Sequence, residues 1–184
     1  MDCWNFAEAV YRLGEGPTGT RPALVHDGDS IDYRELRRRS LGIGSFLDGL
    51  GLLAGAHVGH YMRNSNAYLE TFVGAGLAGL SHVNVNSRYQ DDELVELCNG
   101  LDIDVLIYDA PFADRVARIK PRLTRTRHFI CVGGGGEDID LAELYDHASQ
   151  GFTPRTSSGD LVLIATGGTT GLPKGVQWRH EDIW

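Results

Sequence analysis

Cysteine is scarce in this sequence. Only Cys3, Cys98 and Cys131 occur among 184 residues, far apart and without a C-x-x-C pair. That spacing argues against a disulfide framework or a zinc site and points to a reducing, cytoplasmic setting. Cys98 and Cys131 lie in apolar stretches and are expected in the core. Long hydrophobic runs are missing too. The most apolar windows, around residues 41–58 and 71–80, are interrupted by Asp48, Thr71 and many glycines. Neither supplies the roughly 20 apolar residues that a membrane span needs. The start, Met1-Asp2-Cys3-Trp4, carries an acid where a signal peptide carries a base, and no apolar run follows it. Basic residues are outnumbered, 17 against 25 acidic ones, giving a net charge of -8. Such a surface repels phosphate backbones, so no nucleic-acid partner is expected. The single basic run, Arg37-Arg38-Arg39, follows Glu35 and reads as a solvated helix face.

Several catalytic patterns are absent as well. There is no G-x-S-x-G elbow, and His180-Glu181-Asp182 lacks the second histidine of H-E-x-x-H. It reads as a helix start with acids in its first turn. Asp91-Asp92-Glu93 reads the same way. His57 and His60 stand three apart in an expected strand and should face opposite sides, which argues against a shared metal. His82, His128 and His147 form no recognisable constellation, so no metal ligand and no catalytic side chain is assigned.

What is present is a 42% hydrophobic composition with charges well mixed, enough for one globular domain. Residues 14–19 read as a loop. A hairpin follows, with strands at 23–26 and 30–33 around Asp27-Gly28. From Tyr33 the period lengthens. Tyr33, Leu36, Ser40, Ile43, Leu47 and Leu50 form one helix face, ending near Gly49 and Gly51. Strands are predicted at 57–62, 81–85, 104–108, 128–132 and 160–166, and helices after Asn64-Ser65-Asn66 and at 91–99, 112–119 and 141–147. Gly74, Gly76 and Gly79 should let their helix pack closely on a sheet. This alternation predicts an α/β fold, a layered and largely parallel sheet flanked by helices.

One segment carries chemistry: Thr166-Gly167-Gly168-Thr169-Thr170-Gly171-Leu172-Pro173-Lys174-Gly175, directly after the apolar strand. Glycines let the backbone turn tightly and aim its amides at an anion. Three threonine hydroxyls and a lysine add donors suited to phosphate oxygens. The order matches neither G-x-x-x-x-G-K-[ST] nor G-x-G-x-x-G. By composition alone the segment also reads as a Gly/Thr turn between two strands.

Residues 166–175 resemble the signature loop of the adenylate-forming (AMP-binding) superfamily, which contains acyl-CoA synthetases, peptide-synthetase adenylation domains and luciferases. The resemblance extends to Ile31-Asp32-Tyr33-Arg34-Glu35-Leu36, to Tyr61-Met62-Arg63-Asn64-Ser65 and to residues 79–89. The ending Val176-Gln177-Trp178-Arg179-His180-Glu181-Asp182-Ile183-Trp184 is similar to fatty-acyl and steroid-type acyl-CoA synthetases. The resemblance implies that residues 1–184 are the amino-terminal part of an AMP-binding domain. Residues 1–159 would form an α/β subdomain, and 160–184 the strand, phosphate loop and following segment. It further implies ATP, Mg2+ and coenzyme A as cofactors and a fatty or steroid-type carboxylic acid as substrate. Thr166, Gly167, Gly168, Thr169, Thr170, Gly171 and Lys174 would contact phosphate.

The superfamily's adenine contacts, magnesium-binding glutamate and catalytic lysine would lie beyond Trp184. The chain alone is therefore expected to be inactive, with an apolar face exposed where the next subdomain packs and self-association through that face. Two other readings stay open. One keeps the adenylation but has a carrier-protein or luciferase-type second step. The other is a non-catalytic remnant that binds nucleotide or protein.

Overall fold

The computed structural model describes residues 3–134, 136–147, 151–166 and 174–183. In chain order the elements are α1 (Phe6–Glu15), β1 (Pro22–His26), β2 (Asp29–Asp32), α2 (Tyr33–Gly49), β3 (His57–Tyr61), α3 (Asn66–Leu77), β4 (Ser81–Asn84) and α4 (Asp91–Gly100). Then come β5 (Ile103–Asp109), α5 (Ala113–Ile119), β6 (His128–Val132), β7 (Ile139–Asp140), α6 (Leu141–Leu144), β8 (Leu161–Thr166), β9 (Lys174–Arg179) and α7 (His180–Ile183).

Local chemistry sets the boundaries. Asp27 and Gly28 both take positive φ, 47° and 88°, as a tight hairpin turn between β1 and β2 requires. The second strand stops at Asp32, one residue earlier than expected. The Asp32 carboxylate accepts the Glu35 backbone N–H at 2.8 Å and so starts α2 at Tyr33. Ser65 caps α3 in the same way, accepting from the Tyr68 N–H at 3.2 Å. Helix α1 was not foreseen. Asn5 caps it by accepting from the Ala7 N–H at 2.8 Å, and it runs on through Gly14 and Glu15, residues expected in a loop.

Among the described residues, seven strands form one sheet in the order β7-β6-β5-β3-β4-β8-β9, parallel except for the antiparallel β8–β9 pair. Both faces are covered. Val58, Val105, Ile107 and Ile130 pack with Ile43 and Leu47 of α2 and Ala75 of α3. Leu106, Tyr108, Val83 and Leu163 pack on the other side with Leu94 and Leu97 of α4 and Val116 and Ile119 of α5. Strand β5 is therefore buried along nearly its whole length, with an apolar run from Val105 to Tyr108 as a doubly covered parallel strand requires. Cys98 and Cys131 are buried and free, and burial pushes the Cys98 thiol up to about 12. None of the described helices is long and apolar enough to cross a membrane.

Two expectations are corrected. Gly74 and Gly76 do not face the sheet. A Cβ at Gly74 would stand 2.6 Å from Ile43 of α2, and one at Gly76 would stand 2.7 Å from Ala7 of α1. The glycines bring three helices together. Nor is the arginine run merely solvated. Arg37 pairs with Glu15 at 2.6 Å, Arg38 with Glu35 and Asp146, and Arg39 with Glu35 and the buried Glu70 at 2.9 Å. Tyr145 donates to the other Glu70 oxygen at 2.5 Å. Hydrogen bonding from Arg38, outweighing partial burial, holds the Glu35 carboxyl down near 2.

The expected exposed apolar face is present. Ile164, Val176 and Trp178 alternate along the β8–β9 ribbon, each more than 40% exposed. Residues opposite one another in an antiparallel pair share a face, so Ile164 and Val176 lie side by side there.

Glycine positions in α2 give a paired test. A Cβ at Gly42 would collide with the Leu144 carbonyl oxygen and stand 2.8 Å from that of Tyr145, whereas at Gly49 it would meet open space. Gly49→Ala should therefore stabilise by up to about 1 kcal/mol through helix propensity. Gly42→Ala should cost about 1–3 kcal/mol through overpacking against backbone. Urea denaturation midpoints check both signs.

Candidate functional site

The crossover pattern opens a crevice. Helix α3 leads from β3 to its neighbour β4 on one face of the sheet. Helix α4 then leads from β4 to β5, on the opposite side of β3, and covers the other face. Where successive crossovers diverge, the turns after the two strands part, and ligands of open α/β sheets bind at that point. Here the crevice is a polar cavity of about 450 Å3. Arg63, Asn64 and Tyr68 line it from the β3–α3 side, Asn84, Asn86 and Ser87 from the end of β4, and Ala165 from β8. No carboxylate among the described residues lines it. Arg63 is its charged residue, with its guanidinium 5.5 Å over the Phe112 ring and its backbone N–H donating to Asp109 at 2.7 Å. Burial raises the Asp109 carboxyl above its ordinary range.

The Gly/Thr segment attaches at this same edge. Ala165 precedes Thr166, the last residue of β8, whose backbone pairs with Lys174, the first residue of β9. Lys174 is exposed. Gly167, Gly168, Thr169, Thr170 and Gly171 lie outside the described residues.

Behind the cavity is a group that sequence spacing did not reveal. As expected, His57 and His60 point to opposite faces. His57 Nδ1 donates to the Leu101 carbonyl at 2.6 Å, while His60 is fully buried on the α3 side. His60, however, meets His82, with their Nδ1 atoms 2.9 Å apart and ring centroids 4.3 Å apart. His82 Nε2 lies 3.2 Å from the Tyr68 hydroxyl. Phe72 packs edge-on against His82 at 4.9 Å and stacks on His180 at 6.2 Å. His180 opens α7 as expected, but its side chain is buried, and its Nδ1 accepts the Phe6 backbone N–H at 3.1 Å. The signal lay in the parallel register. Val58 pairs with His82 and His60 with Asn84, so all four share one face. Residues more than 20 positions apart show no such pairing by spacing.

Burial strips water from these rings and disfavours their charged forms. It lowers His60 to about 4, with the Val58 and Thr71 carbonyls pulling the other way, and His180 to about 4. His82 is held well below its ordinary value by burial, then by the neighbouring His60 and His180. Among the described residues, no group of His, Cys, Asp or Glu is arranged to hold a metal ion.

Comparison with known proteins follows from this geometry. Residues 15–184 match the family model described as AMP-binding enzyme. The medium/long-chain-fatty-acid–CoA/3-oxocholest-4-en-26-oate–CoA ligase of Mycolicibacterium smegmatis is 34% identical over 173 residues, covering 89% of this chain and 31% of that protein. The medium-chain acyl-CoA ligase Mig of Mycobacterium avium is 38% identical over 182 residues, covering 88% and 33%. Among solved structures, the anthranilate CoA ligase AuaEII in complex with anthranoyl-AMP superposes with a TM-score of 0.88 at 21% identity. That match covers 98% of this chain and 36% of the other. The chain thus spans about a third of the length of the curated relatives it matches.

The neutral histidines make stability depend on pH. Their folded pKa values lie below the unfolded value, so their contribution is complete above about 6.5 and is lost as pH falls toward 4. Each histidine contributes a slope of up to about 1.4 kcal/mol per pH unit in that window. Asp109 and Asp160, whose carboxyls burial raises, act in the opposite sense, so the measured slope is net. Urea midpoints should fall between pH 6.5 and 5, and His60→Gln should flatten the fall. A midpoint constant over this range would contradict the assignment of neutral histidines.

Proposed function

The chain belongs to the AMP-binding enzyme family, and from that premise we propose that it is the amino-terminal part of an ATP-dependent acyl-CoA ligase. The observation that carries this reading is the position of the residues that flank the Gly/Thr/Lys segment. Its flanks sit at the carboxyl end of β8, beside the crevice where the crossovers diverge. In the proposed reaction a substrate carboxylate oxygen attacks the α-phosphorus of ATP. The bond from that phosphorus to the bridging oxygen breaks, pyrophosphate leaves and an acyl adenylate forms. The thiol of coenzyme A then attacks the acyl carbonyl, AMP departs and a thioester results.

This chain's share of that work is to hold phosphate. Thr166, Thr169 and Thr170 would donate hydroxyl hydrogen bonds, and Gly167, Gly168 and Gly171 would let backbone amides approach. Lys174 would offset charge on the departing pyrophosphate. Such chemistry gains mainly from positioning and from donors fixed before the charge develops. Among the described residues the cavity lining carries no carboxylate, and no group is arranged to hold a metal ion. Magnesium, which the resemblance implies, therefore enters no step derived for these residues. The named relatives support a medium- or long-chain fatty or steroid-type acid as substrate.

Pyrophosphate–ATP exchange in a full-length ligase carrying these residues tests the reading. Lys174→Ala should lower the exchange rate by about 100-fold or more, the scale seen on losing one preorganised donor. Exchange at the parental rate would remove the loop from the mechanism. The 184-residue chain alone should show no exchange, and turnover by it would overturn the division of labour proposed here.

A further inference from the structure

The hydrogen bonds behind the cavity have a direction. His60 Nδ1 lies 3.1 Å from the Val58 carbonyl oxygen, which can only accept. That nitrogen therefore carries the proton. The same proton is shared with His82 Nδ1, 2.9 Å away, so His82 Nδ1 is the acceptor of the pair. A neutral His82 then holds its own proton on Nε2 and donates it to the Tyr68 oxygen at 3.2 Å. The Tyr68 oxygen receives a hydrogen bond from behind, and its own O–H proton is left to point away from His82.

Tyr68 lines the polar cavity, and Asn84, in register with His60, lines it from the adjoining strand. The free Tyr68 proton and the Arg63 cation are both offered to this space, which no carboxylate among the described residues enters. We propose that Tyr68 is a positioning residue whose hydroxyl donates to an oxyanion bound in this cavity, its orientation set by the His60–His82 pair. The nature of the oxyanion rests on the adenylation reading: a phosphate of the nucleotide or the carboxylate of the acid. Burial also lifts the Tyr68 hydroxyl to about 12, so it stays a donor throughout the neutral range.

The test uses a full-length ligase carrying these residues, with inorganic pyrophosphate and octanoate as separate probes in titration calorimetry. Tyr68→Phe keeps the ring and removes the donor. It should weaken at least one probe by five- to tenfold with an unchanged melting temperature. Loss confined to pyrophosphate identifies a phosphate oxygen, and loss confined to octanoate a carboxylate. Asn84→Leu fills the cavity while leaving both histidines in place and should weaken the same probe. Unchanged binding of both probes in Tyr68→Phe, or loss of both with a lowered melting temperature, would overturn the assignment. So would Asn84→Leu binding as tightly as the parent, or a parent that binds neither probe. Pyrophosphate exchange measured alongside keeps the two ideas apart. Exchange abolished by Lys174→Ala, with Tyr68→Phe inert, leaves adenylation standing and removes Tyr68. A parent without exchange whose probe binding still depends on Tyr68 does the reverse.

Discussion

Strand β3 lies at the centre of this molecule because the chain leaves it and crosses it in opposite senses. The crossover through α3 and the crossover through α4 must each bury an apolar face on a twisted parallel sheet, and each does so on a different side. The middles of β3, β4 and β5 become buried in consequence, while the turns beyond β3 and β4 are forced apart and lined with amides. The polar cavity is thus a product of how the core is closed, and its location needs no further specification. The carboxyl end of β8, at Ala165, reaches the cavity because β8 pairs with β4 in the same direction.

The layered α/β architecture was legible in the sequence for the same reason. Doubly covered strands read as apolar runs, and Leu106-Ile107-Tyr108 or Leu161-Val162-Leu163 announce themselves. Caps such as Asp32 and Ser65 were visible as residue types at helix starts. Other features depended on partners distant in sequence. The Arg37–Arg39 run looked like surface charge, because nothing local indicates that Glu70, 31 residues on, is buried opposite Arg39. The α3 glycines were recognised as contact points, but whether they touch strand or helix is a tertiary matter, and Ile43 and Ala7 decide it. At the site, the phosphate-loop pattern could be read from residue order alone. The Tyr68–His82–His60 chain could not, since only strand register brings those rings together.

The buried polar groups differ in what they ask of their surroundings. Glu70 is buried as a charge and is matched by Arg39 and by the Tyr145 hydroxyl. The histidines are buried as neutral rings and are matched mainly by one another. Losing a partner costs most in the first case, where an unpaired ion would be left behind. The second arrangement tolerates loss better, but its stabilisation fades as pH falls below about 6.5, where unfolded histidine takes up a proton. Stability in acid and the direction of the Tyr68 hydroxyl thus have a common origin.

Residues 5 and 6 are fastened to the other end of the chain. The Asn5 amide donates to the Ser157 carbonyl and to Asp160, at 2.9 and 3.0 Å, and the Phe6 N–H donates to His180. These contacts span more than 150 residues. During synthesis α1 emerges before the β8–β9 ribbon, and the hydrogen bonds of residues 5 and 6 cannot close until that ribbon has followed. At about 5–20 residues per second that is a wait of roughly ten to thirty seconds. Through that interval α1 is held by its packing on α2 and α3 alone, and the fastening of residues 5 and 6 is among the last contacts of this region to close.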